Sequence, residues 1–214
     1  MPIPKIAPYP MPRAGELPDS VVGWRIDPAR AVLLVHDVQR YFLSAFDPAT
    51  DPFRSLVGNI RRLLTAARGA GVPVVYTVQP AAQTPAQRGL LGEVWGAGIP
   101  DGEQAGILKA LAPRPRDEVV TRTRYNAFLG SSLDEVLGRH GRDQIVLVGV
   151  YAHIGCQLTA AHAFMTERQA FPVADAQADF SRAHHEGAIA WLAGRAARVV
   201  DTEVVLEAFA GTAS

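Results

Sequence analysis

Residues 30–42 read RAVLLVHDVQRYF, and this stretch decides the fold. Five apolar residues, Ala31 to Val35, follow one another without the alternation that marks a strand with one wet face. An unbroken apolar run of this length is typical of a strand buried on both faces of a parallel sheet. The run is followed by one acid, Asp37, at the strand end where functional groups of such sheets lie. Asp37 is therefore the first candidate functional residue.

Five further apolar runs alternate with helical patterns along the chain. The clearest helix carries Ile60, Leu63, Leu64 and Ala67 at the spacing of one buried face. Strands that alternate with helices indicate a parallel sheet with helices on both sides. The expected fold is a Rossmann-like α/β protein with three layers, α-β-α. Its six parallel strands would be 31–35, Pro73–Val78, Asp117–Thr121, Gln144–Val150, Phe171–Ala174 and Arg198–Val200.

The sequence also predicts a long loop and a further helix. From Gln79 to about Gly102 the chain is rich in glycine and polar residues, which predicts a long irregular loop. Loops of this length inside a compact domain are often functional. A helix is expected after the fourth strand, with one apolar face formed by Leu158, Ala161, Phe164 and Met165.

The composition is that of an ordinary globular protein. Of the 214 residues, 48% are apolar and 20% are charged, which excludes an intrinsically disordered chain. The 21 Lys and Arg residues equal the 21 Asp and Glu residues in number, so no overall field favours nucleic acid or a membrane surface. The single cysteine, Cys156, excludes an intramolecular disulfide. With no membrane-spanning run and no signal peptide, a cytoplasmic protein is expected.

The chain is expected to form a single domain over residues 1–214, because no shift in composition divides it. Seven prolines within residues 1–29 exclude a helix there and predict an extended N-terminal arm. That arm could pack on its own domain or on a second subunit.

The ends of three strands can share one site. Because parallel strands end at the same edge of a sheet, Asp37, Arg122 and residues 151–156 are expected to meet. Five motifs, in this order, resemble the isochorismatase family: HDVQRYF (36–42), TVQPAAQTPAQRGLL (77–91), RTRYNAF (122–128), GVYAHIGC (149–156) and DAQADFSRAHH (175–185). The resemblance extends over almost the whole chain, from about residue 3 to residue 209.

The resemblance implies roles for the three strand ends. Asp37 takes the position of the family's acid, and Arg122 stands where the family has a lysine. Gly155 stands where the amidase branch has its nucleophilic cysteine, and Cys156 lies one residue later. The isochorismatase branch hydrolyses a vinyl ether without a covalent intermediate, which needs an acid and no nucleophilic side chain. Asp37, Arg122 and Gly155 are the expected catalytic residues, with Arg122 holding a substrate carboxylate or orienting Asp37.

The same resemblance implies how the substrate is held. Gln79 and Arg88 resemble family contacts to the substrate carboxylates, and Phe42 and Tyr125 resemble pocket walls. Tyr151, with the backbone at Gly155, resembles the side nearest the pyruvyl group. The bond before Tyr151 aligns with a position where the family tends to have a non-prolyl cis peptide.

No cofactor is implied, and a homodimer is expected because family members usually self-associate. The proline arm and the helix after the fourth strand are the candidate contacts. His153, His162 and the pair His184-His185 form no evident ligand set, so no metal is expected. The pair is expected to begin a helix at the surface.

The expected reaction is hydrolysis of isochorismate to pyruvate and 2,3-dihydro-2,3-dihydroxybenzoate. The alternative is the same reaction on 2-amino-2-deoxyisochorismate, as in phenazine-pathway relatives, giving 2,3-dihydro-3-hydroxyanthranilate. The two substrates differ in one ring substituent, which one or two hydrogen bonds could distinguish. Two other interpretations stay open: a cysteine amidase that uses Cys156, and a non-catalytic domain that docks on a synthetase partner.

Overall fold

The computed structural model describes residues 3–211 and contains a five-stranded parallel sheet. The strands lie in the order β3-β2-β1-β4-β5, and every pairing between neighbours is parallel. They are β1 (Ala31–His36), β2 (Val74–Val78), β3 (Glu118–Thr121), β4 (Gln144–Val150) and β5 (Gln169–Ala178). The predicted α/β class and parallel sheet are confirmed.

Helices cover both faces of this sheet. They are α1 (Arg40–Leu43), α2 (Phe53–Gly69), α3 (Pro85–Arg88), α4 (Leu90–Trp95), α5 (Leu133–His140), α6 (Gln157–Met165), α7 (Arg182–Ala193) and α8 (Thr202–Ala210). One apolar cluster joins α2 and α8 to Leu33 and Val35 of β1, and a second joins α5, α6 and α7 to Val32 and Leu34. Within residues 3–211, no helix is both long enough and apolar enough to cross a membrane.

The prediction of a sixth strand is wrong. The segment 198–200 runs beside β5, but it forms a single parallel bridge, between Val200 and Val173. Only three residues are free to pair there, because α8 begins immediately afterwards with Asp201 as its cap, whose carboxylate accepts from the Val204 N–H. The neighbouring strand β5 is longer than predicted, since it spans Gln169–Ala178 rather than Phe171–Ala174.

β1 is the central strand, and its position determines where a ligand can bind. All six of its residues are buried, as the unbroken apolar run predicts. On one side of β1 lie β2 and β3, and on the other lie β4 and β5, so the strand order reverses at β1. Ligands of α/β sheets bind in the crevice at such a reversal, beyond the carboxyl ends of the strands. Asp37 directly follows β1 and residues 151–156 directly follow β4, so both lie at this crevice.

The segment between β2 and β3 is more ordered than predicted. Two short helices, α3 and α4, occupy the expected loop, and two 3-10 turns, Glu103–Ala105 and Lys109–Leu111, follow them. A capping box starts α3, because Thr84 accepts from the Gln87 N–H while the Gln87 side chain accepts from the Thr84 N–H. The TPAQ sequence contains this signal.

The described part of the N-terminal arm packs on the same chain. Ile6, Tyr9 and Met11 are buried. The Tyr9 hydroxyl accepts from the Asp179 N–H at 2.8 Å, which ties the arm to the end of β5. Ile3 reaches the crevice beyond the strands.

Helix α6 presents large apolar side chains to solvent. The residues it buries are small: Thr159, Ala160 and Ala163. Phe164 is 43% exposed and Met165 is 70% exposed. The predicted apolar face therefore exists, but the core of this chain does not cover it.

Gly149 allows β1 and β4 to approach closely just before the crevice. Its φ is +119°, a region that L-residues with a side chain rarely adopt. A Cβ at this position would lie 2.0 Å from the His36 carbonyl oxygen, which belongs to the neighbouring backbone.

We predict that Gly149→Ala lowers the free energy of unfolding by at least about 3 kcal/mol, because both strain and a backbone clash oppose the new methyl group. Gly58→Ala is the matched control, since an added Cβ on that exposed position of α2 meets no atom within 4 Å. The control should raise stability by about 0.5–1 kcal/mol. Urea unfolding of both variants measures the difference, and equal stabilities would contradict the account.

Candidate active site

A cavity that is partly open to solvent lies at the carboxyl ends of the strands. All eight residues that the sequence singled out line it: Asp37, Phe42, Gln79, Arg88, Arg122, Tyr125, Tyr151 and Gly155. They come from separate segments after β1, β2, β3 and β4, so the fold alone brings them together.

Asp37 and Arg122 form a buried ion pair at this cavity. Each side chain is only 3% exposed. The Arg122 Nε donates to Asp37 Oδ1 at 3.0 Å, and Nη2 contacts Oδ2, so the guanidinium engages both carboxylate oxygens. A planar fork can make this two-point contact, whereas a lysine ammonium cannot. The geometry is that of a residue which orients Asp37.

Arg122 reaches Asp37 because it directly follows β3. Its N–H donates to the Val78 carbonyl at 2.9 Å and continues the ladder between β3 and β2. Burial lowers the pKa of Arg122 to about 9, which is still far enough above neutral pH to keep the guanidinium charged. The pair therefore places a fixed positive charge beside the candidate acid.

The backbone at Asp37 adopts an uncommon conformation. Its φ is +54°, in the left-handed region, while its N–H still donates to the Thr77 carbonyl at 3.2 Å. Such a conformation costs on the order of 1–3 kcal/mol for a residue other than glycine. The Thr77 hydroxyl donates to Asp37 Oδ1 at 3.1 Å and helps to fix the side chain. Strained residues of this kind concentrate at functional sites.

The turn after β4 presents a glycine to the cavity. The Val150–Tyr151 bond is cis, in agreement with the resemblance, and a π-helical turn follows at Ala152–Cys156. Gly155 lines the cavity, whereas Cys156 is fully buried among the side chains that α6 and α7 pack against. Burial raises the pKa of the Cys156 thiol, so the thiol stays protonated. Cys156 lacks both the position and the ionisation of a nucleophile.

Arg88 is a buried cation whose hydrogen bonds, within residues 3–211, go to neutral oxygens. It donates from Nε to the Gly96 carbonyl at 3.2 Å, and from Nη1 to the side-chain oxygens of Gln79 at 3.2 Å and Gln83 at 3.4 Å. Gly98 leaves room for it, because a Cβ there would lie 2.7 Å from the guanidinium carbon. A buried guanidinium without a carboxylate partner is suited to bind an anionic group of a ligand.

Gln79 is held by Gln39, a residue that the sequence analysis did not single out. The Gln79 N–H donates to the Gln39 side-chain oxygen at 2.7 Å, and the Gln39 amide donates back to the Gln79 carbonyl at 3.0 Å. The amide thus mimics a strand partner just beyond the ends of β1 and β2. Gln39 lies within the HDVQRYF motif, but a sequence cannot show this mimicry.

Aromatic side chains form a wall of the cavity. Tyr151 packs against Phe180 with ring centroids 4.5 Å apart and donates from its hydroxyl to the Phe42 carbonyl at 2.7 Å. Trp95 packs edge-on against Phe180 and donates from Nε1 to the Tyr125 hydroxyl at 2.6 Å. Such a wall is suited to a small unsaturated ring that carries few polar groups.

Several lining residues were missed from sequence. They are Ile3, Tyr41, Leu91, Trp95, Gly98, Val150, Ile154 and Phe180. Trp95 lies in the segment expected to be a loop, and Phe180 lies in the DAQADFSRAHH motif, so the signals were present. The sequence could not show that Trp95 and Phe180 contact each other in the folded chain.

Two of the histidines converge, contrary to the expectation that they form no ligand set. The side chains of His153, Asp179 and His184 offer ligand atoms within 4.8 Å of one another. However, the Asp179 oxygens already accept from the His153 N–H, from the Phe180 N–H and from His153 Nδ1, each within 2.7 Å. The carboxylate therefore links the turn after β4 to the end of β5, and the absence of a metal stays a prediction.

His185 also differs from its expected surface position. It is fully buried, and its Nδ1 lies 3.2 Å from the Tyr9 hydroxyl. The helix α7 begins at Arg182, so that His184 faces solvent while His185 faces the core.

The arrangement supports proton transfer to a small anionic molecule. One carboxyl group is buried beside a fixed cation, and a glycine leaves space next to it. A second cation, Arg88, has no carboxylate partner among the residues that the structure describes. General acid catalysis requires a positioned acid of this kind.

Comparison with known proteins gives the same picture. A family model described as the isochorismatase domain matches residues 31–204. The chain is 46% identical over 208 residues to an isochorismatase of Bacillus subtilis, covering 97% of this chain and 67% of that protein. It is 46% identical over 206 residues to the phenazine biosynthesis protein PhzD of Pseudomonas fluorescens, covering 95% and 98%.

More distant proteins share the fold. Enterobactin synthase component B of Escherichia coli is 41% identical over 209 residues, covering 97% of this chain and 73% of that protein. A solved cysteine hydrolase from Pseudomonas syringae superposes with a TM-score of 0.79 at 22% identity, covering 89% of this chain and 97% of that one. On the matched domain and on these identities, the chain belongs to the isochorismatase family.

Proposed function

We propose that this protein hydrolyses the vinyl ether of isochorismate to pyruvate and 2,3-dihydro-2,3-dihydroxybenzoate, with Asp37 as the general acid and no covalent intermediate. The observation that carries the proposal is the buried Asp37–Arg122 pair beside Gly155, in a cavity that also contains Arg88. The 46% identity to an isochorismatase supports the substrate.

The reaction requires a proton to be delivered to carbon. Asp37 protonates the methylene carbon of the enolpyruvyl group, and the loss of the double bond leaves an oxocarbenium ion. Water adds to this ion and returns a proton to the Asp37 carboxylate, giving a hemiketal. The hemiketal collapses to pyruvate, its hydroxyl proton passes to the ring oxygen, and the ring alcohol leaves.

The cavity offers positive charge to an anionic substrate. Isochorismate carries two carboxylates, and the cavity is lined by two cations, Arg88 and Arg122. Arg88 and Gln79 bind a substrate carboxylate, because the Arg88 guanidinium has only neutral acceptors around it. Arg122 orients Asp37 through the two-point contact.

The remaining lining residues shape the cavity. Phe42 and Tyr125 form walls against the ring, while Tyr151 and the Gly155 backbone lie nearest the pyruvyl group. The missing side chain at Gly155 leaves room for the reacting carbon and water.

The second candidate substrate is 2-amino-2-deoxyisochorismate, and the 46% identity to a phenazine biosynthesis protein favours it. The chemistry is unchanged, because the ring substituent is not part of the vinyl ether. Assays of pyruvate release from both compounds decide between them. Turnover of neither compound would contradict the proposal and favour a non-catalytic docking domain.

We predict that Asp37→Asn lowers kcat by roughly a hundredfold to ten-thousandfold, because an amide cannot donate the proton that general acid catalysis requires. Cys156→Ala is the control, and it should keep the wild-type rate because the buried thiol does not line the cavity. Steady-state pyruvate release measures both. Loss of all activity in Cys156→Ala would instead favour a cysteine hydrolase that uses this thiol, such as the amidase.

We predict that Arg122→Ala lowers kcat/KM by more than about tenfold and reduces stability, because breaking a buried ion pair leaves an uncompensated charge. Arg122→Lys restores the positive charge that the family has at this position and should recover much of the loss. Steady-state kinetics and thermal unfolding of the two variants provide the comparison. If Arg122→Ala kept both wild-type turnover and substrate affinity, the role assigned to Arg122 would be wrong.

We further propose that the protein forms a homodimer, with the exposed apolar face of α6 as the contact. Leu158, Phe164 and Met165 expose large apolar surfaces on this one helix, and contiguous patches of this kind mark interaction sites. Neither nucleic acid nor a membrane is proposed as a partner.

Light scattering after size exclusion should give twice the mass of one chain, and Met165→Asp should shift the protein toward the monomer because it places a charge in the apolar contact. Val204→Asp is the control, because Val204 is 41% exposed on α8 at the opposite face of the sheet. A wild-type monomer, or a dimer unaffected by Met165→Asp, would contradict this contact.

A further inference from the structure

His36 lies next to the candidate acid, yet it does not line the cavity. It ends β1, is fully buried, and precedes Asp37 directly. A Cβ built at Gly155 would lie 2.1 Å from His36 Nε2 and 2.7 Å from Cδ2. The imidazole therefore occupies the space that any side chain at position 155 would need. A side chain added at position 155 would therefore displace the His36 imidazole.

The hydrogen bonds around His36 determine which ring nitrogen carries its proton. Nδ1 lies 2.8 Å from the Thr77 hydroxyl oxygen, and that oxygen lies 3.1 Å from Asp37 Oδ1. Thr77 has one hydroxyl proton, and an ionised Asp37 can only accept, so Thr77 donates to Asp37. His36 Nδ1 must then donate to Thr77. Nε2 is left as a bare lone pair.

That lone pair has no hydrogen-bond partner among the described residues. Nε2 lies 3.8 Å from Asp37 Oδ2, too far for a hydrogen bond and with no proton between the two atoms. Burial and the Arg122 cation hold the pKa of His36 well below its usual 6.5, so the ring does not fill this gap by becoming protonated. A proton on Oδ2 would satisfy Nε2 after a movement of about 1 Å.

We infer that His36 is a positioning residue whose Nε2 accepts a hydrogen bond from the protonated Asp37 carboxyl group, and so favours the acid form of Asp37 that the reaction consumes. The inference rests on the proposed function, because it presumes that Asp37 is the general acid. An ionised Asp37 leaves a buried acceptor unpaired, whereas a protonated Asp37 pairs it. No covalent step is involved, since the proton stays on Asp37 until the substrate carbon takes it.

The other charged and titratable groups near Asp37 favour either its ionised or its protonated form. Arg122 favours the ionised form, and Arg88, also at the cavity, acts in the same sense from further away. The Cys156 thiol is neutral, because burial raises its pKa, and the Tyr125 hydroxyl is engaged by Trp95. Among these groups, His36 alone favours the protonated acid. The substrate carboxylates add to its effect when they bind.

The test is the pH dependence of kcat in His36→Leu and His36→Gln. Because the acid must be protonated, kcat falls as pH rises through the pKa of Asp37 in the substrate complex. His36→Leu removes the acceptor, and the falling limb should move down by about one pH unit, which lowers kcat at neutral pH about tenfold. The low-pH plateau and KM should stay near wild type. His36→Gln keeps an acceptor oxygen and should shift the limb less.

His185→Leu is the matched control. His185 is likewise fully buried, and its Nε2 has no hydrogen-bond partner within residues 3–211, but it lies against Tyr9 and outside the cavity lining. A merely structural effect would lower stability in both leucine variants and leave the limb in place. An unmoved limb in His36→Leu, or an equal loss at every pH, would overturn the inference.

A measurement on the wild-type protein covers the case in which His36→Leu does not fold. The imidazole ¹⁵N chemical shifts report which nitrogen carries the proton, and they should show a protonated Nδ1 and a bare Nε2 for His36 at neutral pH. The opposite tautomer would overturn the inference. Failure of the proposed function is distinguishable, because it would appear as wild-type turnover in Asp37→Asn.

Discussion

A carboxylate that is 3% exposed needs a partner to stay charged, and the partner of Asp37 is Arg122. The sheet makes this contact by ending β1 and β3 at the same edge, with β2 between them and bonded to both. The close approach of β4 at Gly149 and the left-handed turn at Asp37 then bring the carboxyl group to the crevice. The other features of the site are arranged around this buried charge.

The ion pair also creates the central problem of the mechanism, because Arg122 favours the carboxylate while the reaction needs the acid. Three features oppose this effect of Arg122 and favour the protonated Asp37: burial, the substrate carboxylates and the unprotonated Nε2 of His36. Gly155 is part of the same balance, since a side chain there would displace the imidazole. On this account, Gly155 serves two purposes. It leaves room for the substrate, and it leaves room for the His36 imidazole beside Asp37.

Much of the site could be predicted because it is encoded locally. The apolar run before Asp37 and the motif at Arg122 place both residues at strand ends without knowledge of any contact. The prediction of a sixth strand was wrong because pairing depends on how many residues lie free between α7 and α8. The sequence of one segment does not reveal this number. Arg88 was found by resemblance, but its lack of a carboxylate partner is a property of the folded chain. The close fit between the His36 imidazole and Gly155 likewise depends on two residues that lie more than a hundred positions apart in the sequence.

The central claim is that the cavity protonates the enolpyruvyl carbon, so that water attacks the pyruvyl group and the ring keeps its own oxygen. Hydrolysis of isochorismate in H₂¹⁸O, followed by mass spectrometry of the ring product, tests this most directly. The account predicts that the dihydroxy ring product contains no ¹⁸O. Incorporation of ¹⁸O into the ring hydroxyl would show that water attacked the ring carbon, and it would contradict the role assigned to Asp37.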